Sequence, residues 1–374
     1  MRFVGFAIWL GLAVTAPAAW ERVRVVSDAG ERVVEGRVVV DAQDGSLLLE
    51  HDDQRLELVP GADVRGREAV AGPPEPLAPR ALGEAVLRTL PAGFDQVATR
   101  HYVVCYDTSR AYAQWCAALF ERLHDAFMNF WRQAGFEVEE PAHPLVVVIF
   151  ADRQRYEEHA AADLGAATDR VVGYYNLLSN RVTTFDLTGS DLVGGRPSRS
   201  AGRAGLEILA SSRAAGLVAT LVHEATHQMA FNCGLHRRLA AVPLWVSEGV
   251  AIYFETPDVG SERGWRGIGG VNGPRRERFL AGRRPGWFPE IVRGDESFRD
   301  PDEALDAYSS AWAATAFLVQ TRKAAFINYL RTISEKAPLA DDDADRRLED
   351  FTAAFGAEPA ALEEAIAKFV ARLK

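Results

Sequence analysis

The first part of the chain alternates apolar and polar residues, which is the pattern of a strand with one buried face. Val23 and Val25 have polar neighbours, and Asp44-Gly45 lies as a turn signal between two short apolar runs. This pattern predicts a small antiparallel β module over residues 19–70.

A proline-rich stretch interrupts that pattern, and a longer region with mixed periods follows it. Pro73, Pro74 and Pro76 disfavour any regular element, so we interpret residues 71–90 as a linker and residues 91–374 as a second domain. The apolar pattern there predicts strands over 101–106 and 145–150, helices over 110–134 and 153–163, and a hairpin within 171–187.

Helical periodicity dominates the remainder of the chain. It predicts helices over 214–231, 244–254 and 303–321, and a helical stretch over 345–373 that is interrupted near Gly356. Residues 260–300 are rich in glycine, arginine and proline, and no element is assigned there. Strands followed by helices indicate an α+β domain.

The first residues have the composition of an export signal. Arg2 is followed by an apolar run over residues 3–14 and by the small residues Ala16 and Ala18. The run is shorter than the ~20 apolar residues that span a bilayer. We therefore expect residues 1–18 to be a signal peptide, the protein to be periplasmic or extracellular, and no membrane span to remain after cleavage. An uncleaved anchor or a buried first helix is the alternative.

Charge and composition narrow the class of partner. The hydrophobic fraction is 48% and the charged fraction 25%, as in folded globular proteins. Lys and Arg number 42 against 52 Asp and Glu, which gives a net charge of −10. Binding of phosphate backbones needs clustered cations, so this balance argues against nucleic acid as the main partner.

The chain has three cysteines, Cys105, Cys116 and Cys233. Three cannot all pair within one chain, and their spacing matches no cysteine metal site. We expect at least one to be buried and unpaired, and the sequence leaves the disulfide state open.

The segment His223-Glu224-Ala225-Thr226-His227 carries the clearest chemistry. On a helix, residues four apart lie one turn apart on the same face, so both imidazoles can bind one zinc ion. Glu224 points about 100° away from His223 and is placed to act on a water molecule rather than as a ligand.

A catalytic zinc site needs a third protein ligand. Glu248 is the candidate, because it lies on the next predicted helix, which returns after Pro243. Gly249 beside it would allow another helix to approach closely. Glu255 is an alternative ligand, although it is expected at the end of the helix. A capping or salt-bridging role is the alternative for Glu248 itself.

Residues 223–232 and 245–255 together resemble the core of the gluzincin zinc metallopeptidases, in the peptidase MA-like superfamily. Aminopeptidases of that group share the two histidines, the intervening glutamate and a later Trp-x-x-Glu-Gly segment, and Gln228 and Asn232 also match them. The spacing around Pro243 is similar to that of an uncharacterised family of exported bacterial HExxH proteins. The resemblance implies a zincin-like domain after the β module.

The resemblance also suggests roles outside the motif. Related aminopeptidases have a tyrosine at a similar distance that donates to the oxyanion, and Tyr308 stands there; half-buried packing is the alternative. Zincins commonly place an edge strand beside the metal, which we predict at Asn180 to Leu187. The Gly-x-Met-Glu-Asn segment of the aminopeptidases is missing, so endopeptidase and narrow processing roles stay open.

These observations predict an exported peptidase with one Zn²⁺ per chain and a peptide or protein substrate. His223, His227 and Glu248 would bind the metal, and Glu224 would act as general base. Two alternatives are a zinc-binding scaffold without turnover and an envelope-binding protein whose β module carries the function. The other histidines, including His101 and His124, are isolated in the sequence and are expected to be structural or solvent-facing.

Overall fold

The computed structural model of the protein describes residues 20–28, 30–70, 75–165, 168, 171–187, 214–256 and 268–374. The expected signal peptide at 1–18 and the prolines at 73 and 74 lie outside the described residues.

The alternating N-terminal segment forms a five-stranded sheet in which every pair of strands is antiparallel. Its strands are β1 (Trp20–Ser27), β2 (Gly30–Asp41), β3 (Leu47–Glu50), β4 (Leu56–Val59) and β5 (Val64–Ala69), in the order β4-β3-β2-β1-β5. One face buries a small core of its own that includes Val23, Leu47 and Val59. The predicted antiparallel β module is confirmed.

A second five-stranded sheet follows, and its central strands are parallel. Its strands are β6 (Asp95–Ala98), β7 (Tyr102–Tyr106), β8 (Leu145–Phe150), β9 (Gly173–Asn176) and β10 (Arg181–Phe185), in the order β6-β7-β8-β10-β9. β7, β8 and β10 run parallel, while β6 and β9 pair antiparallel at the edges. All residues of the three central strands are buried, as expected of strands covered on both faces.

Three helices belong to this half: α1 (Pro79–Leu87), α2 (Arg110–Ala134) and α3 (Arg153–Leu164). The bounds of α2 match the prediction, because Ser109 caps its first turn and Gly135 ends it with a left-handed φ of 92°. The segment interpreted as a linker contains α1, whose Leu82 and Val86 are fully buried. The helix has nine residues, and its two fully buried apolar side chains lie four positions apart. This pattern was too weak to predict a helix so close to the prolines.

The C-terminal half is helical. Its helices are α4 (Ala214–Asn232), α5 (Leu244–Phe254), α6 (Gly273–Gly282), α7 (Trp287–Arg293), α8 (Glu296–Arg299), α9 (Ala304–Thr321), α10 (Lys323–Ser334), α11 (Ala344–Phe355) and α12 (Glu363–Arg372). Helices α6 to α8 lie in the described part of the segment to which the pattern assigned nothing, and they are too short to show a clear period. α10 was also missed. The mixed α+β class is confirmed.

Close packing of α5 on α9 fixes the middle of the helical half. A Cβ atom at Gly249 would lie 2.1 Å from Thr315 Oγ1 and 2.8 Å from the carbonyl oxygen of Ala311. Only glycine permits this approach, as the sequence suggested.

The three cysteines are all buried and free, in agreement with the expectation of buried, unpaired cysteine. Among the residues that the structure describes, no helix combines the length and apolar character needed to cross a membrane.

Candidate metal centre

The two histidines of the motif lie one turn apart on α4 and face the same point. His223 Nε2 and His227 Nε2 are 3.1 Å apart. Their rings are nearly perpendicular, at 81° with centroids 4.7 Å apart. Because an imidazole binds a metal along a lone pair in the ring plane, this arrangement lets both nitrogens reach one ion.

Glu248 on α5 completes the group. Its Oε2 lies 3.1 Å from His223 Nε2 and 3.4 Å from His227 Nε2. Ligand atoms bound to zinc at 2.0–2.1 Å in a tetrahedron are about 3.3 Å apart. The three side chains therefore already have the spacing of a zinc site, and they are 11–14% exposed.

The remaining ring nitrogen of each histidine has a partner that orients the ring. Glu255 Oε2 lies 3.0 Å from His223 Nδ1, and Ser247 Oγ lies 3.2 Å from His227 Nδ1. With Nδ1 engaged, Nε2 of each ring is left for the shared point. Glu255 is thus a partner of a ligand rather than a ligand.

Glu255 is itself held in place from α6. Asn272, which caps that helix, donates from Nδ2 to Glu255 Oε1 at 2.7 Å, and Arg275 Nε lies 3.7 Å from the same oxygen. The sequence did not indicate this role, because Asn272 lies in the stretch without a clear period.

Glu224 stands beside the group of three but does not belong to it. Its Oε2 accepts a hydrogen bond from the backbone N–H of Tyr175 in β9, at 2.8 Å. β9 is therefore the edge strand beside the centre. The prediction of Asn180 to Leu187 as that strand was wrong, because β10 lies between β8 and β9.

Electrostatics at the centre favour a cation. Burial raises the pKa of Glu224. Burial also opposes ionisation of Glu248, but the two nearby histidines outweigh it and hold its pKa well below the ordinary value. For His223, hydrogen bonds to Glu248 and Glu255 outweigh burial and raise its pKa. The carboxylates of Glu248 and Glu255 beside the two imidazoles thus stabilise positive charge at this group.

The start of α5 is anchored by a buried ion pair. Asp295 Oδ1 accepts the N–H of Leu244 at 3.0 Å. Arg347 holds both oxygens of Asp295, with Nη1 at 2.8 Å and Nη2 at 3.1 Å. This contact fixes the first turn of the helix that carries Glu248, and only the tertiary structure reveals it.

Tyr308 on α9 lies close enough to the centre for the charges of Glu248 and Glu224 to act on its phenol. The negative charge of Glu248 raises the pKa of the Tyr308 phenol, and burial and the charge of Glu224 raise it further. Its ring packs edge-on against Phe298, and the Arg275 guanidinium lies 5.7 Å from the ring centroid. The phenol therefore keeps its proton and can donate a hydrogen bond.

Comparison with known proteins places this centre in a recurring segment. Residues 217–340 match the family described as "Protein of unknown function (DUF1570)". The matched residues include the motif of α4, Glu248 and Tyr308, and they make up less than half of the chain. No curated protein matches the chain.

A second group of histidines lies elsewhere in the protein. His101 and His124 stack with centroids 3.7 Å apart and planes at 12°, and His124 Nε2 is 3.1 Å from Glu140 Oε2. These two histidines share no sequence motif, and the packing of α2 beside the start of β7 brings them together. His236 is buried and contacts Phe231.

Proposed function

We propose that this protein is an exported zinc peptidase of the gluzincin type, with a zincin-like domain after the β module. One observation carries the proposal: His223 Nε2, His227 Nε2 and Glu248 Oε2 lie within 3.4 Å of one another. Glu224 stands next to them with its carboxylate outside the group. The resemblance of the motif to gluzincins and the signal-like first residues support the activity and the location.

The residues of the centre divide the work of hydrolysis. Zinc held by the three ligands would supply Lewis acidity toward water and toward the scissile carbonyl. The Glu224 carboxylate accepts a proton from the attacking water and passes it to the leaving amine. The phenol of Tyr308 donates a hydrogen bond to the developing oxyanion.

The edge strand offers a place for the peptide. Among the described residues, β9 pairs with β10 alone, so an extended peptide can add to its other side by backbone hydrogen bonds. The backbone N–H of Tyr175 donates to Glu224 rather than to a neighbouring strand, so this edge lies beside the proposed base. The substrate is therefore an extended peptide or an unfolded segment of a protein.

The test is a digest of an unstructured protein by the purified chain. We expect fragments that are lost with chelator and restored by zinc, and that are lost in Glu224→Gln with zinc still bound. Zinc binding without any fragment, over a broad set of peptides, would favour the scaffold instead. N-terminal sequencing of protein from the native host tests export, with cleavage expected after Ala18.

A further inference from the structure

The turn between β3 and β4 leaves the β module and lies against the far end of α4. Gln54 in this turn is only 5% exposed and has a left-handed φ of 69°. Its side-chain amide donates from Nε2 to the carbonyl oxygen of Pro144 at 3.3 Å and accepts from Asn180 Nδ2 at 2.9 Å. A side chain of the first sheet therefore reaches the β9–β10 hairpin of the second.

Asn180 passes this contact on to α4. Its Nδ2 also donates to Asn232 Oδ1 at 2.8 Å, and Asn232 Nδ2 donates back to Asn180 Oδ1 at 2.8 Å. Asn232 is the last residue of α4. The two amides form a reciprocal pair, and Gln54 connects that pair to the β module.

Two further bonds connect the same hairpin to the catalytic segment. Gln228, directly after His227, donates from Nε2 to the carbonyl oxygen of Asn180 at 2.9 Å. Tyr175 donates from its hydroxyl to Asn180 Oδ1 at 2.6 Å and from its backbone to Glu224. The amide of Asn180 thus bonds to α4 directly through Asn232 and is connected to Glu224 through Tyr175.

The turn that carries Gln54 is held firmly. Arg238, in the loop after α4, donates from Nη1 to the carbonyl oxygen of Gln54 at 2.7 Å and pairs with Glu50. The backbone N–H of Leu56 bonds to the carbonyl oxygen of Leu178 at 2.7 Å. These contacts fix the position of the Gln54 side chain from both sides.

We propose that Gln54 is a positioning residue for the metal centre. By holding Asn180, it sets the register of α4 against the β9–β10 hairpin, and thereby the positions of His227 and Glu224 relative to the edge strand. This inference rests on the proposed function, and it gives the β module a role in the catalytic unit. Without the glutamine amide, Asn180 and Asn232 still bond to each other and to Tyr175 and Gln228, but they lose their contact with the β module.

The experiment uses the full chain and three variants. Gln54→Gly removes the side chain without backbone strain, because glycine accepts the positive φ. Gln54→Asn also suits that φ. It keeps a side-chain amide, but this amide is one methylene too short to reach Asn180. Val59→Ala is the control, since it weakens the module's own core without touching the amides.

Two readouts are compared at a temperature well below unfolding. Zinc affinity is measured by competition with a chelator, and kcat and KM are measured at saturating zinc. Direct partners of metal ligands contribute about 10–100-fold to affinity or activity, and Gln54 acts less directly, through Asn180. We expect roughly a tenfold loss of zinc affinity and of kcat in both Gln54 variants, with KM unchanged and Val59→Ala at wild-type values.

Three results would overturn the inference. The first is a Gln54→Gly variant with the zinc affinity and kcat of the wild type. The second is a loss of zinc affinity and kcat in Val59→Ala equal to that in the Gln54 variants, which would point to stability alone. The third is that neither Gln54 variant folds while Val59→Ala does, because the contact is then a folding requirement. If the wild type cleaves nothing, the proposed function fails, yet the zinc affinities still decide the role of Gln54.

Discussion

Among the described residues, two groups of two histidines and one glutamate bring possible ligand atoms within 4.8 Å of one another. The group on α4 and α5 has rings at 81°, whereas His101 and His124 are stacked at 12°. Perpendicular rings can aim two lone pairs at one point, while stacked rings aim them side by side. The comparison shows that closeness of ligand types does not by itself make a metal site.

The difference arises from what holds each ring. His223 and His227 share one helix, and Glu255 and Ser247 orient them so that both Nε2 atoms converge. His101 is held by Glu121 on α2, with Nδ1 at 2.7 Å from Oε2. In the second group, burial lowers the pKa of His124. We therefore interpret the first group as a candidate metal centre and the second as a stacked pair in which burial disfavours protonation of His124.

The largest expected effect separates the two groups by metal content. Wild type should bind one zinc per chain, because only the first group has converging ligand atoms. His223→Ala should lose tight zinc binding and all peptidase activity, whereas His101→Ala should keep both. Elemental analysis of the three proteins measures this. Two zinc ions per chain, or loss of zinc in His101→Ala, would contradict the comparison.

The next effect separates catalysis from binding within the first group. Glu224→Gln should keep zinc and fold normally but lose about 10²–10⁴-fold in rate, since glutamine cannot accept the proton of water. This corresponds to about 3–5 kcal/mol of barrier. Glu248→Gln is the contrast, because the amide is a poorer ligand and zinc affinity should fall. A zinc titration and a rate assay distinguish them; a Glu224→Gln enzyme as fast as wild type excludes this mechanism.

Tyr308→Phe should lower kcat by roughly 10²-fold, the loss typical of removing one oxyanion donor. Zinc affinity and KM should stay unchanged, because the phenol is not a ligand. Tyr102→Phe is the matched control, since it removes a buried hydroxyl from β7. Steady-state kinetics on both variants give the answer, and equal kcat values for the two would assign Tyr308 to packing.

Glu255→Gln should weaken zinc affinity by about 10–100-fold, because the partner that orients His223 and raises its basicity loses its charge. Glu349→Gln, an exposed glutamate of α11, serves as control. Chelator competition measures both. Wild-type affinity in Glu255→Gln would mean that the helix geometry alone positions the ring.

The smallest effect concerns the second group. Burial lowers the pKa of His124 below 6.5, so the unfolded state takes up its proton first and stability falls as pH drops through about 6.5. One such group contributes at most about 1.4 kcal/mol per pH unit. The free energy of unfolding should therefore fall less steeply from pH 7.5 to 5.5 in His124→Leu than in the wild type. Urea unfolding with chelator present measures this. His101, Asp125 and Glu140 surround the His124 ring. If stability falls equally steeply in the wild type and in His124→Leu, these neighbours cancel the effect of His124.

Many elements of the fold and the candidate site residues could be predicted from the local sequence pattern. The alternation of valines predicted the β module, and the long apolar period predicted α2 to its end residues, because both signals depend on neighbours in the sequence. The spacing of His223 and His227, and the placement of Glu248 on a following helix, predicted the three side chains that converge in the structure, since an i, i+4 pair has one geometry on any helix. For the same reason Glu224 was assigned beside the centre and outside the ligand set.

The tertiary structure decided what depends on distant contacts. It made β9 rather than β10 the edge strand, because strand order follows from crossovers and not from strand composition. It brought Glu255 to His223, Asp295 to the start of α5 and Gln54 to Asn180. It also stacked His101 on His124 without a motif. Each of these pairs joins residues from different elements, so their side chains meet only after both have packed on a common core.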